Sequence, residues 1–173
     1  MSNEMEIFVK LISLAKCLKG FGVEDLRDLL SISSKAVWKT GEHVFIEGEQ
    51  GRDMFIICSG KVSIWRKSGG EKVSLANLAE GESFGEMGLI RGGERSAGAT
   101  ALEPTVALRI SYEHLHQAPS AAVTLYRNLA RELAERLKIA NDIIVFQTQA
   151  GAEPPPLMTI GRSHHKKAEL YKR

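Results

Sequence analysis

Short apolar runs separated by glycine turns are the feature that most restricts what this chain can become. From Ala36 onward the sequence reads VW, VFI, MFII, VSIW and VSLANL, punctuated by Gly41, Gly48, Gly51, Gly60, Gly69-Gly70 and Gly81. Runs of this length with turn signals between them predict strands. A further strand is expected at Thr105 to Ile110, after a glycine-rich stretch at 85–98. Short strands in such number predict a small all-β barrel or jelly roll.

Helical periods flank this region. Phe8, Leu11, Ile12, Ala15 and Leu18 share one face of a helix predicted over residues 5–18, which Gly20 and Gly22 end. Val23 to Leu30 reads as a second short helix, with Glu24 and Asp25 suited to its positive N-terminus. The longest helical pattern is Ala121 to Ile144, with Pro119-Ser120 as its start signal and Ser120 as a cap. Val123, Tyr126, Ala130, Leu133, Leu137, Ala140 and Ile144 alternate steps of three and four, an a/d seam. That seam either packs on its own barrel or pairs with a second copy of the chain. The organisation expected is a helical segment at 1–35, a β-barrel core at 36–118, a long helix at 119–149 and a basic tail at 150–173. The tail holds three prolines and GRSHHKKAELYKR, too polar to order itself alone.

Composition narrows the function classes. Over 173 residues the net charge is +2, too mild to argue for nucleic acid, and lysines and arginines are spread along the chain. Cys17 and Cys58 are far apart without CxxC spacing, which suggests reduced thiols and a cytoplasmic setting. No apolar run approaches the length of a membrane span, and the polar start Met1-Ser2-Asn3-Glu4 is not a secretory signal.

The chemistry concentrates in Phe84 to Ala101, FGEMGLIRGGERSAGATA. Phe84, Gly85, Glu86, Met87, Gly88 and Leu89 can form a turn leading into a short helix. Glycines let a backbone approach an anion closely, and amides at a helix N-terminus attract one. Arg95 adds a planar cationic fork suited to a phosphate, and Ser96, before Ala97, adds a hydroxyl. Glu86 repels an anion but accepts hydrogen bonds from a sugar hydroxyl. A ligand with an adjacent anion and hydroxyl fits this set. The bland alternative is that Glu86 and Arg95 pair with each other inside the barrel and that Gly88 and Gly98 are ordinary turn residues.

These residues resemble the cyclic nucleotide-binding domain family, which includes the ligand-binding domains of the bacterial catabolite activator and of protein kinase A regulatory subunits. The family's phosphate cassette, Gly-Glu-x-Ala/Gly-Leu, a spacer, then Arg-Ser/Ala/Thr-Ala, is matched by Gly85, Glu86, Gly88, Leu89, Arg95, Ser96 and Ala97. An upstream signature is matched by Gly48, Gly51, the apolar run Met54-Phe55-Ile56-Ile57, and Gly60. The resemblance spans roughly residues 15–147. It implies a mainly β jelly-roll barrel (a double-stranded β-helix) with N-terminal helices, a short cassette helix and a long C-terminal helix. It implies that Glu86 accepts the ribose 2′-OH, that Arg95 pairs with the cyclic phosphate, and that Ser96 and the amides near Met87 and Gly88 complete the phosphate contacts. Val62, Ile64 and Leu75 correspond to the wall facing the base, with plain core as the alternative.

Two departures stand out. Where bacterial members carry a Thr-Ser pair that contacts adenine from the long helix, this chain has Ala140-Asn141. Asn141 can read a base if it faces the pocket, with plain solvent exposure as the alternative; the resemblance as a whole implies cAMP or cGMP as ligand, with cAMP favoured. After the long helix, Gly151 and Pro154 to Pro156 occupy the place of a helix-turn-helix, and prolines disfavour helix interiors. The expected protein is therefore a single-domain sensor, not an enzyme, that binds no DNA. Ligand occupancy would move its long helix toward an unknown downstream protein, and a homodimer through residues 123–144 is the other expected association. Two other readings are a ligand-free interaction domain of the same fold and a cupin-type metalloenzyme. For the last, His43 stands alone in the barrel, His114 and His116 follow the last strand, and His164-His165 lie in the tail. No metal or other cofactor is expected.

Overall fold

The glycine-bounded runs become strands in the computed structural model, which describes residues 14–150. Among them are eight strands: β1 (Ser33–Trp38), β2 (His43–Phe45), β3 (Asp53–Ser59), β4 (Val62–Ser68), β5 (Glu71–Leu78), β6 (Ser83–Phe84), β7 (Gly98–Ala101) and β8 (Thr105–Ser111). They form two antiparallel four-stranded sheets, in the orders β1-β8-β3-β6 and β2-β7-β4-β5. The jelly-roll expectation holds. Strand β1 begins at Ser33, ahead of the expected Ala36. The short strands β6 and β7 carry too few apolar residues to be read from alternation alone.

Why β3 is apolar throughout follows from its place. Side chains alternate across a strand, and here both faces are covered. Phe55 and Ile57 join Phe45, Val62, Leu78 and Phe84 in the core between the sheets. Met54 and Ile56 point the other way and pack with Leu18, Leu29, Leu89, Ile110, Leu125 and Leu129 in a second core beneath the helices. The ring of Phe55 stacks on Phe84 at 5.2 Å and meets the edge of Trp38 at 5.4 Å. Trp65 is buried on β4, and its Nε1 donates to Thr100 Oγ1 at 2.8 Å.

The helices are α1 (Val23–Ser31), α2 (Glu86–Arg91), α3 (Tyr112–Leu115) and α4 (Pro119–Ala150). Only the end of the first predicted helix is described, as a 3-10 turn at Lys16–Leu18 that buries Cys17 and Leu18. Residues 5–13 of that expectation and the basic tail from 151 lie outside the described residues. Burial pushes the Cys17 thiol up to about 12, with the Glu132 carboxylate adding to the effect, so this cysteine is inert at neutral pH.

Helix α4 begins at Pro119, not at a Ser120 cap. Proline at the first helical position lacks an N–H that would go unpaired anyway. The stripe that α4 lays on the core is Ala121, Ala122, Leu125 and Leu129, continued from Ala118 just before it. Buried Asn128 joins it, its Nδ2 donating to Cys17 O (2.9 Å) and Lys19 O (2.8 Å). Alanine, threonine and asparagine in that stripe hide it from an apolar count. The predicted seam lies on another face. Val123 is 68% exposed and Leu137 63% exposed, and Tyr126 and Leu133 are half-buried. Packing of the seam on its own barrel is thereby corrected. Among the described residues no helix is long and apolar enough to cross a membrane.

Candidate functional site

Strand β6 delivers the chain to Gly85, whose φ of 80° lies in the left-handed region that glycine adopts without strain. That turn starts the six-residue α2. Gly88 N–H closes the first hydrogen bond, to Gly85 O at 3.0 Å, so the amides of Glu86 and Met87 precede it. At Gly88 the reason for glycine is contact. A Cβ there would lie 2.6 Å from both Gly51 O and Arg95 Nη1. Neither Gly88 nor Gly98 is an ordinary turn residue, since a Cβ on Gly98 would collide with the Trp65 ring.

The two sequence signatures meet here. Arg95 N–H donates to Glu49 O at 2.8 Å, Gly48 N–H to Arg95 O at 2.9 Å, and Gly51 N–H to Gly93 O at 3.2 Å. The upstream glycine loop therefore clamps the backbone that carries Arg95.

Arg95 is only 6% exposed. Its Nη1 donates to Asp53 O at 2.6 Å and Gly85 O at 3.3 Å, and the guanidinium carbon lies 4.2 Å from the Phe45 ring centre. Its Nε is buried without a hydrogen-bond partner. The nearby Asp53 carboxylate is taken by Arg109, at 2.7 and 3.0 Å. Among the described residues no carboxylate forms an ion pair with Arg95. Burial pulls its pKa below the ordinary arginine value, opposed by the charges of Asp53 and Glu49, yet a guanidinium stays charged at neutral pH. A buried guanidinium with an idle donor has the chemistry to take an anionic partner.

Glu86 does not pair with Arg95 either. Its Oε1 accepts from Arg136 Nη1 of α4 at 2.8 Å. Arg136 Nη2 also lies 3.4 Å from Ser83 O and 3.8 Å from Glu132 Oε2. The bland alternative of an internal Glu86–Arg95 pair is thus replaced by two separate arrangements.

A cavity of about 140 Å³ opens between these groups. Of the expected residues, Phe84, Gly85, Glu86, Met87, Gly88, Arg95, Ser96, Ala97 and Ile64 line it. Three do not. Leu89 is fully buried in the core beneath the helices, because α2 turns that face away from the cavity. Leu75 is 37% exposed, while Ala76 and Leu78 face the cavity. It sits at an irregularity where Ile64 pairs with Ala76 but Trp65 pairs with Ser74, leaving Leu75 as the extra residue. Asn141 is exposed and lies beyond the lining, more than one helical turn past Arg136. Val62 is fully buried in the core between the sheets.

Phe45, Ala76, Leu78 and Arg136 line the cavity without having been expected. A signal for Arg136 exists. Extending the buried stripe of Leu125 and Leu129 by helical steps reaches Glu132 and then Arg136. Among the described residues no group of three or more His, Cys, Asp or Glu could hold a metal. His43 instead lies 2.7 Å from Thr100 Oγ1, and His114 falls on the helical turn α3 after the last strand.

Comparison with known proteins bears on this geometry. A family model described as the cyclic nucleotide-binding domain matches residues 35–120. The chain is 35% identical over 132 residues to the cyclic AMP receptor protein of Thermus thermophilus, a match covering 74% of this chain and 61% of that protein. It is 33% identical over 124 residues to glutaminase 2 of Bradyrhizobium diazoefficiens, covering 68% of this chain but 19% of that enzyme. The crystal structure of the Thermus thermophilus catabolite activator protein superposes with a TM-score of 0.71 at 32% identity, covering 78% of this chain and 63% of that one. The chain thus spans less than two thirds of each of these relatives.

Proposed function

This chain belongs to the cyclic nucleotide-binding domain family, and on that premise we propose that it is a regulatory sensor that takes cAMP in the cavity beside Arg95. The observation that carries the reading is the buried Arg95 with its idle Nε, next to a glycine turn. In this reading the cyclic phosphate binds Arg95, and Ser96 and the first amides of α2 donate to its other oxygens. Glu86 accepts the ribose 2′-OH. The base lies toward Ile64, Ala76 and Leu78 on the barrel wall.

cAMP is favoured over cGMP because the receptor from Thermus thermophilus is named for cyclic AMP. Ser96 is neutral on this point, since its hydroxyl also suits guanine. The long helix is the moving part. Arg136 ties α4 to the cassette through Glu86, so a ligand that claims Glu86 loosens α4. A ligand shifts such an equilibrium only by its differential affinity for the two arrangements. The reading involves no catalysis by this chain. The exposed stripe of Val123, Ala130, Leu137 and Ala140 supports pairing of two copies through residues 123–144.

Calorimetry with cAMP and with cGMP, on the wild type and on Arg95→Ala, tests the reading. Micromolar or tighter binding of cAMP is expected, lost in Arg95→Ala by about a hundred-fold or more. Equal affinity in the variant removes Arg95 from the phosphate site.

A further inference from the structure

The Arg136 guanidinium that holds Glu86 Oε1 also walls the cavity through which a ligand hydroxyl would reach that carboxylate. Arg136 forms part of the wall of a cavity of about 140 Å³. Pockets that enclose drug-sized ligands typically measure about 300 to 1,000 Å³. The room beside Glu86 therefore depends on where the Arg136 guanidinium goes.

Glu132 lies one turn earlier on the same helix. Its Oε2 is 3.8 Å from Arg136 Nη2, an ion-pair distance longer than a hydrogen bond. Its Oε1 is buried and has no hydrogen-bond partner. An unmet acceptor in such a place is costly, and the guanidinium already committed to Glu86 lies within ion-pair distance of this carboxylate. Because both residues sit on α4, a small side-chain rotation makes the exchange without unwinding the helix.

We propose that Glu132 is a positioning residue that takes over Arg136 when a ligand hydroxyl occupies Glu86, so that the tie between α4 and the cassette becomes a tie within α4. This rests on the reading of Glu86 as the ribose acceptor. Exchange of one carboxylate for another keeps Arg136 paired throughout, and it converts occupancy of the cavity into release of the long helix.

The exchange has a proton signature. The groups that act on Glu132 are Lys16 and Cys17 from the entry turn, Glu86 from α2, and Glu135 and Arg136 from α4. Burial raises the Glu132 carboxyl above the ordinary range, with Glu86 and Glu135 acting the same way and Arg136 and Lys16 opposing. Drawing Arg136 closer lowers it. The free protein then holds this proton more tightly than the liganded protein, so binding releases it. Affinity rises with pH through the window just above the usual carboxylate range.

The experiment is calorimetry with cAMP on the full chain between about pH 5 and pH 8, bracketing that window, for wild type, Glu132→Gln and Glu132→Asp. Glu132→Gln is expected to weaken binding at neutral pH by about five-fold and to flatten the wild-type rise with pH. Glu132→Asp, which keeps the carboxylate, is expected to recover part of that rise. The same pH dependence in wild type and Glu132→Gln overturns the exchange, whatever the affinity of the variant. Absence of binding by the wild type to cAMP and cGMP alike overturns the ribose reading itself, and the exchange with it.

Discussion

Arg136, near the middle of the long helix, donates to Glu86 at the start of the cassette helix over 2.8 Å. Fifty positions of sequence separate them. Glu86 is 7% exposed while the Arg136 side chain keeps 35% of its surface, so truncating Arg136 strands a buried carboxylate. The pair explains how a carboxylate comes to be buried in this cavity.

Glu86→Gln should therefore act on the sugar and not on the phosphate. Wild type is expected to prefer cAMP over 2′-deoxy-cAMP by about ten-fold, the worth of one hydrogen bond to a charged acceptor. In Glu86→Gln that preference should shrink toward unity. Competition binding with the two nucleotides on both proteins measures it, and an unchanged preference in the variant removes Glu86 from the ribose site.

Gly88→Ala tests the close packing of the glycine turn. The added methyl meets the Gly51 carbonyl, which is backbone and cannot swing aside, and the Arg95 guanidinium. A loss of about 1–3 kcal/mol of stability is expected from this overpacking, together with weaker nucleotide binding as Arg95 is displaced. Urea unfolding and calorimetry on the same samples read both effects. Wild-type values in both would show that the cassette tolerates a side chain there.

The cassette was legible in the sequence because its chemistry is local. Gly85, Glu86, Gly88, Arg95 and Ser96 lie within a dozen positions. The strands were legible because glycines bound them. What escaped was the part that depends on distant segments meeting. Arg136 comes from the long helix, and its stripe is broken by Thr124 and Asn128, which bury polar atoms beside apolar ones. Leu75 was placed on the cavity wall although an irregularity in the β4–β5 pairing makes it the extra residue and Ala76 and Leu78 the inward ones. Leu89 belongs to the cassette pattern yet serves packing, since a helix of six residues offers only one face to a ligand.

The exposed stripe of α4 makes a separate prediction. Leu137 is 63% exposed, so Leu137→Glu should leave stability of the barrel within about 0.5 kcal/mol. In sedimentation equilibrium the wild type is expected to weigh as a dimer and Leu137→Glu as a monomer. A monomeric wild type contradicts pairing through this face.

The central claim is that the cavity beside Arg95 holds a cyclic nucleotide. A melting series with cAMP, cGMP and cyclic dinucleotides tests it most directly, because a ligand that binds only the folded protein must raise the melting temperature. At saturating cAMP a rise of about 5 °C or more is expected, larger than with cGMP and absent with cyclic dinucleotides. No shift with either mononucleotide at millimolar concentration would contradict it.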